Sequence, residues 1–314
     1  MKQLKDLKNA IVYRVKPDFK FTPELLAEFE KMAEESHFDG VNMRSGILRQ
    51  DCFVRPVNDK FIHTIENKTH YVQMKKVVRQ IPGKVVQREL KKRVAEYFEK
   101  EGKSATKSMK TEMKHDIIED LSVSAFKLDS YIDVIFTDDF VIVGAGSAKA
   151  ADDIITAMRK CFGTLKAVCL GAATKNAMSP VVTASIHTAL IDEESEEIKS
   201  LGFDVGDAVS LEGSGQWGGK DITLDSGVVL AAFDAGMSAG KVQLCGDDLH
   251  FDLNEELHMK AIGFSNVMQF QAIDNSEDQT QQIETNITLA YAAITAAAVK
   301  VVDGLGGWYD EEQS

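Results

Sequence analysis

A basic stretch with a helical repeat constrains the fold of this 314-residue chain more than any other feature. Residues 71–110 contain 12 Lys and Arg against 4 Asp and Glu, although the whole chain has a formal net charge of −13. After Pro82-Gly83, apolar residues recur every three or four positions, which is typical of one face of an α-helix. The apolar set is Val86, Leu90, Val94, Tyr97 and Phe98, and the basic set on the other side is Lys84, Arg88, Lys91 and Lys92. The pattern predicts a helix with one buried face and one cationic face.

A second helix is predicted after Gly102, because apolar residues again repeat every four positions. Its apolar set is Met109, Met113, Ile117 and Leu121, and its flanking basic set is Lys103, Lys107, Lys110 and Lys114. Two consecutive amphipathic helices predict a basic helical hairpin that projects from a sheet.

The remainder alternates short β-type runs with helical segments, which predicts an α+β fold of mixed, largely antiparallel sheets with flanking helices. Strands are predicted at residues 10–15, 60–66, 69–75, 131–136, 140–143, 166–170, 208–211, 241–244, 249–253 and 257–262. Further helices are predicted after the Thr22-Pro23 start signal, around Ile154, Ile155 and Met158, and over about 282–303.

Charge and composition suggest three parts. Residues 1–120 carry 25 Lys and Arg against 19 Asp and Glu, whereas the remaining residues carry 11 against 30. We expect a central α+β domain from residues 1–75 and 121–170, a basic helical tip from 76–120, and an acidic C-terminal α+β base domain from 171–314.

Cysteine usage and hydropathy point to a protein that stays inside the cell. The four cysteines are widely spaced, with no Cys-x-x-Cys pair to suggest zinc or thiol redox chemistry. The N-terminus is charged and lacks the apolar stretch of a secretory signal. The most apolar helical segment, Leu289–Val299, is about half the roughly 20 residues needed to cross a bilayer. We therefore expect a cytoplasmic protein with no membrane partner.

One segment suggests nucleotide binding. Residues 143–147 (Val-Gly-Ala-Gly-Ser) place a Gly-x-Gly turn between a strand and a helix, as in dinucleotide-binding folds. The third glycine of that fingerprint is missing, Lys149 stands close to its place, and the preceding strand pairs in an antiparallel hairpin. A tight strand-to-helix turn is the better interpretation, and a nucleotide-binding enzyme that uses the Gly144–Lys149 turn is kept as an alternative.

The sequence gives little support to metal binding or to nucleophilic catalysis. Asp248, His250 and Asp252 alternate along a predicted strand and would share one face, but any half-solvated hairpin shows the same pattern. No histidine is spaced with a candidate nucleophile, and no Gly-x-Ser-x-Gly or phosphate-loop motif occurs. We expect no metal, no cofactor and no catalytic centre.

The basic stretch is the strongest functional signal. Solubility does not require it in a strongly acidic chain, whereas a concentrated cationic surface beside an anionic body suits a polyanion bound at one place. Without a base-reading motif, we expect phosphate contact without sequence readout. The predicted DNA contacts are Lys75, Lys76, Arg79, Lys84, Arg88, Lys91, Lys92, Lys103, Lys107, Lys110 and, more weakly, Lys149. A protein-interaction module that presents the same basic surface to an acidic partner is the second alternative.

Several short blocks together resemble the RdgC family of bacterial recombination-associated proteins. They are residues 8–14, the block Leu121-Ser122-Val123-Ser124-Ala125-Phe126, residues 147–152, 159–165, 239–242 and 302–307. Their order and spacing along nearly the whole chain carry the resemblance. Ser122, Val123 and Ser124 replace the family's Leu-Pro-Arg, and residues 171–238 match poorly, so we expect a distant member.

The resemblance implies a non-enzymatic, nucleoid-associated protein that dimerises into a ring. A positively charged hole would surround duplex DNA with little sequence preference, and single-stranded DNA is a further candidate ligand. Members are associated with restraint of the RecA recombinase. By the same resemblance, Phe126 would lie near a dimer contact.

Overall fold

The computed structural model describes residues 3–39, 42–45, 48–65, 68–163, 165–174, 203–212, 216–219, 227–274 and 278–309. These residues form an α+β protein with antiparallel sheets, as the sequence predicts. The chain divides into two compact units. The large unit comprises Met1–Phe29, Pro56–Val72 and Asp133–Ser314, and the small unit comprises Glu30–Arg55 and Gln73–Ile132.

The strands follow the chain in this order: β1 Ile11–Val15, β2 Asn42–Ser45, β3 Leu48–Arg55, β4 His63–Ile65, β5 Thr69–Gln80, β6 Phe126–Phe136, β7 Phe140–Val143, β8 Ala167–Cys169, β9 Asp204–Glu212, β10 Gln216–Gly219, β11 Ser238–Cys245, β12 Leu249–Asn254 and β13 Met259–Phe264. The helices are α1 Pro23–Asp39, α2 Gly83–Glu101, α3 Lys107–Ser124, α4 Ala148–Phe162, α5 Leu170–Ala173, α6 Gly227–Asp234, α7 Asn266–Asp274 and α8 Gln279–Gly304, preceded by a 3-10 turn at Leu4–Asp6.

Antiparallel pairing organises the large unit. β1 lies between β7 and β8, and the last residues of β6 pair with β7. The second sheet has the order β10-β9-β11-β12-β13. Ala10 and Met259 exchange backbone hydrogen bonds of 2.9 and 3.0 Å, which connect the start of β1 to β13. One hydrophobic core therefore combines side chains from both ends of the sequence.

Helix α8 is the central helix of that core. Ile287, Ile294 and Val302 are fully buried along it, at a spacing that repeats on one helical face. By length and composition α8 is also the one helix among the described residues that could cross a membrane, with 50% of its most apolar window buried in the protein. Burial in the core accounts for its composition, and the absence of a membrane partner stays a prediction.

Helices α2 and α3 pack together in the small unit, as their periodicity predicts. Val86 of α2 is buried against Ile117 and Ile118 of α3. The chain turns between them at Gly102, whose φ of 63° is a left-handed conformation that glycine adopts without strain. Thr106 then caps α3, because its Oγ1 accepts a hydrogen bond from the Met109 N–H at 3.3 Å. Local sequence signals therefore set the C-terminal end of α2 and the N-terminal end of α3.

The strands of the small unit depart most from the sequence prediction. β6 starts at Phe126, five residues before the predicted start, and its residues Phe126–Tyr131 are all exposed. Apolar and polar residues alternate only over Phe126-Lys127-Leu128-Asp129, and Ser130 then interrupts the pattern, which leaves a run too short to predict the start of the strand. β2 and β3, which form an antiparallel hairpin, were not predicted.

The three-part division of the chain stays a prediction, because compact units and independently folding domains are different properties.

Candidate nucleic-acid interface

Four exposed cations follow one face of helix α2. Lys84, Arg88, Lys91 and Lys92 lie at the i, i+4, i+7 and i+8 positions, so their Cα atoms share a narrow sector of the helix. All four are exposed, while Val86 on the opposite face is buried. We call these four residues the cationic stripe. Hydrophobic burial fixes the rotation of α2, and that rotation turns the stripe to solvent.

Ion pairing leaves most of the stripe available. Among the described residues, Lys84, Lys91 and Lys92 have no salt-bridge partner, and the Arg88 Nε lies 3.5 Å from Glu89 Oε1 with the Arg88 side chain 76% exposed. An exposed pair of this kind contributes little free energy, about 0–1 kcal/mol. A phosphate can therefore compete with Glu89 for Arg88.

The predicted contacts that follow the stripe in sequence lie in the α2–α3 connection and in α3. Lys103, Lys107 and Lys110 are exposed. The rest of α3 is less basic than expected, since Glu112, Asp116, Glu119 and Asp120 follow. Arg93, which was not among the predicted contacts, donates to Asp120 at 2.5 Å and ties α2 to α3. The cationic surface thus centres on α2 and the start of α3.

The basic residues of β5 occupy a different setting. Lys75 forms a 2.7 Å ion pair with Asp129 of β6, and its side chain is only 25% exposed. Lys76 and Arg79 are partly buried, and each has an interaction partner within the protein. These three cations are weaker candidates for phosphate contact than the stripe.

Lys149 lies in the large unit, at the second position of α4, and is exposed. The turn before it is built for packing. A Cβ on Gly144 would come within 2.8 Å of Leu7 Cδ1, and the Gly144 N–H donates to the Asp133 carbonyl at 2.8 Å. That amide is unavailable to a phosphate, and β7 pairs antiparallel with its neighbours, which weakens the nucleotide-binding interpretation.

The alternating Asp248, His250 and Asp252, candidate metal ligands from the sequence pattern, include a residue with a structural role. Asp252 is almost fully buried and accepts a 2.6 Å hydrogen bond from the Lys241 Nζ across the β11–β12 pair. Within the described part of the chain, no group of three or more His, Cys, Asp and Glu side chains is arranged to hold a metal.

An apolar surface that the sequence pattern did not single out lies at the end of α3 and the start of β6. Val123 is 88% exposed and Phe126 is 85% exposed, with Leu128 nearby at 52%. We call these three residues the apolar patch. Large apolar side chains that are this exposed and this close in sequence are candidates for a contact surface.

The small unit also has an open apolar hollow of about 510 Å³ beside the turn between α2 and α3. Leu90, Val94, Phe98 and Ala105 line it, and Lys91 and Lys110 stand at its edge. Leu90, Val94 and Phe98 of its wall were recognisable in the sequence as part of the apolar face of α2. The hollow itself depends on how the turn leaves Phe98 half exposed.

Charge segregates between the compact units. The small unit carries 18 Lys and Arg against 14 Asp and Glu, a formal net charge of +4, which leaves −17 for the large unit. The exposed cations of α2 therefore belong to a unit whose net charge also attracts anions.

Known proteins resemble this chain over nearly its full length. A family model described as "Putative exonuclease, RdgC" matches residues 7–308. The recombination-associated protein RdgC of Shewanella halifaxensis (strain HAW-EB4) is 24% identical over 318 residues, with 96% of this chain and 98% of the relative covered. The protein of the same name from Aeromonas hydrophila subsp. hydrophila is 27% identical over 320 residues, with 98% and 99% covered. Because the family model matches almost every residue, the chain belongs to the RdgC family, whose curated relatives are named recombination-associated proteins.

Proposed function

We propose that this protein binds DNA without sequence preference, through phosphate contacts made by the cationic stripe of α2 and by Lys103, Lys107 and Lys110. The single observation that carries the proposal is the outward arrangement of the stripe in a protein that is otherwise strongly acidic, with three of its four cations lacking an ion-pair partner among the described residues. Lysine and arginine on a helix face supply point charges that match a phosphate backbone, whereas they do not by themselves distinguish bases.

The electrostatic balance supports binding at one location. A net charge of −17 on the large unit repels a polyanion, and +4 on the small unit attracts it. The same segregation favours DNA over an acidic protein partner, because a row of four cations along a helix matches a row of phosphates more closely than a single acidic side chain. An acidic protein partner would be indicated if the protein bound no random duplex at low salt.

The proposal includes a homodimer. The apolar patch, which includes Phe126, and the hollow belong to the same unit. In a dimer, each copy can therefore place its patch in the hollow of the other. Such a contact is isologous and removes from water an apolar surface that is otherwise exposed. Two stripes would then act on one DNA molecule, and a dimer that closes around the duplex would bind it as a ring.

A DNA-bound dimer would restrain recombination by occupying the strand on which a RecA-type filament assembles. The name of the relatives, recombination-associated protein, supports a role in this process. The proposed mechanism is obstruction and does not require an active site.

The test is a gel-shift titration of the full chain with two duplexes of unrelated sequence and with single-stranded DNA at low salt. Similar affinities for the two duplexes are expected, and Mg²⁺ or Mn²⁺ should leave end-labelled DNA intact. Strong preference for one duplex would overturn the absence of sequence readout. Shortening of the DNA would instead support the exonuclease that the family description names.

A further inference from the structure

Two distant segments of the large unit bring a thiol and an imidazole together. β8 ends at Cys169, which is paired in register with Tyr13 of β1. The start of β1 is bonded to Met259, so the turn that precedes β13 lies against the junction of β8 and α5. A Cβ on Gly171 would lie 2.9 Å from the Glu256 carbonyl oxygen, which shows how closely the two segments approach.

Three side chains in this place form a chain of polar contacts. The Cys169 Sγ lies 3.8 Å from the Nε2 of His258, and the Nδ1 of His258 lies 3.1 Å from the Oε2 of Glu256. The backbone fixes the imidazole, because the Oδ1 of Asn254 accepts a 2.8 Å hydrogen bond from the His258 backbone N–H. With Nδ1–H donating to Glu256, the lone pair of Nε2 faces the thiol.

At neutral pH the pair starts as a neutral thiol and a neutral imidazole, which are the donor and acceptor states for proton transfer from sulfur to nitrogen. Burial lowers the pKa of His258, so the imidazole is neutral at neutral pH. Burial also raises the pKa of Cys169, so its thiol stays protonated and needs a base before it can react. The other charged groups that act on the pair are Asp152, which faces both residues, and Lys260, which acts on His258.

We propose that Cys169 is a thiol modification site that reacts with small disulfides, with His258 as its general base and Glu256 as the positioning residue. The thiol gives its proton to the Nε2 of His258 as its sulfur attacks one sulfur of the disulfide. A new S–S bond forms, the disulfide's own S–S bond breaks, and the departing thiolate takes the proton back from Nε2. Cys169 is partly exposed, whereas the His258 side chain is only 4% exposed, so the reagent meets sulfur first.

The reaction of Cys169 does not depend on DNA binding.

Variants of the contact chain test the role of each side chain. A general base contributes about 10²- to 10⁴-fold to a rate, so replacement of His258 by Gln should slow the reaction of Cys169 by at least about 100-fold at neutral pH. Glu256 is 60% exposed, so Glu256→Gln is expected to leave the fold intact and to slow the reaction several-fold. Glu255→Gln, an adjacent exposed carboxylate with no contact to His258 among the described residues, is the matched control.

The experiment incubates the full chain with bis(2-hydroxyethyl) disulfide and follows each cysteine by peptide mass mapping. Cys169 should react faster than Cys245, the partly exposed thiol of β11. Glu256→Gln should also alter the pH profile of the Cys169 rate, a change that loss of packing alone would not produce. The proposal is overturned if Cys169 reacts no faster than Cys245, or if Glu256→Gln and Glu255→Gln react equally.

Discussion

Reversal of two charges in the cationic stripe is the most direct quantitative test of phosphate binding. Lys91 and Lys92 are adjacent, exposed and without an ion-pair partner among the described residues, so Lys91→Glu with Lys92→Glu alters charge at little cost to packing. Each protomer has four stripe cations, and a dimer presents eight of them to one duplex.

The salt dependence of binding follows from that count. The slope of log K against log salt is about −0.9 per phosphate contact, so the eight stripe contacts contribute about −7 to the slope and roughly 10⁴-fold to the affinity loss between 50 and 200 mM salt, in addition to the contribution of Lys103, Lys107 and Lys110. The double variant keeps four of the eight stripe contacts, which reduces the stripe's contribution to about −4 in slope and roughly 10²-fold in affinity loss over the same range. The change in slope is more informative than the loss of affinity, because it counts contacts.

The assay is fluorescence anisotropy with a labelled random duplex at several salt concentrations. A variant with Lys100→Glu and Lys114→Glu carries the same change in net charge at exposed positions outside the stripe, and its slope should stay closer to that of the wild type. Equal slopes for the two variants would show that only net charge matters. An unchanged slope in the stripe variant would refute the assignment of phosphate contacts to α2.

Two further predictions concern assembly and stability. Phe126→Ser should shift the protein from dimer to monomer in a sizing measurement, because it removes the largest side chain of the apolar patch. The control Phe270→Ser, on α7 of the large unit and also exposed at 66%, should leave the dimer intact. A dimer that persists in Phe126→Ser would contradict the proposed contact. Burial lowers the pKa of His70 below its ordinary 6.5, so the unfolded chain takes up protons first as pH falls, and the free energy of unfolding should decrease below about pH 6.5. Denaturant titrations from pH 5 to 7.5 should show a weaker decrease in His70→Gln, and an equal decrease would exclude this histidine as a contributor.

The sequence by itself determined the elements whose signals are local. Periodicity located α2, α3 and α8, and alternation and turn residues located β1, β7 and β12 close to their observed bounds. The cationic stripe was equally predictable, because a helix with one apolar face must turn its other face to solvent.

Tertiary structure decided the features that depend on residues far apart in the chain. The start of β6 is exposed on both faces, so no buried face marks its extent, which follows from pairing with other strands. The ion pair between Lys75 and Asp129 joins residues 54 positions apart and changes which cations are available. Cys169 and His258 meet only because β13 is bonded to the start of β1. Local pattern fixes which face of an element is buried, whereas the neighbours of an exposed side chain are set by the packing of the whole unit.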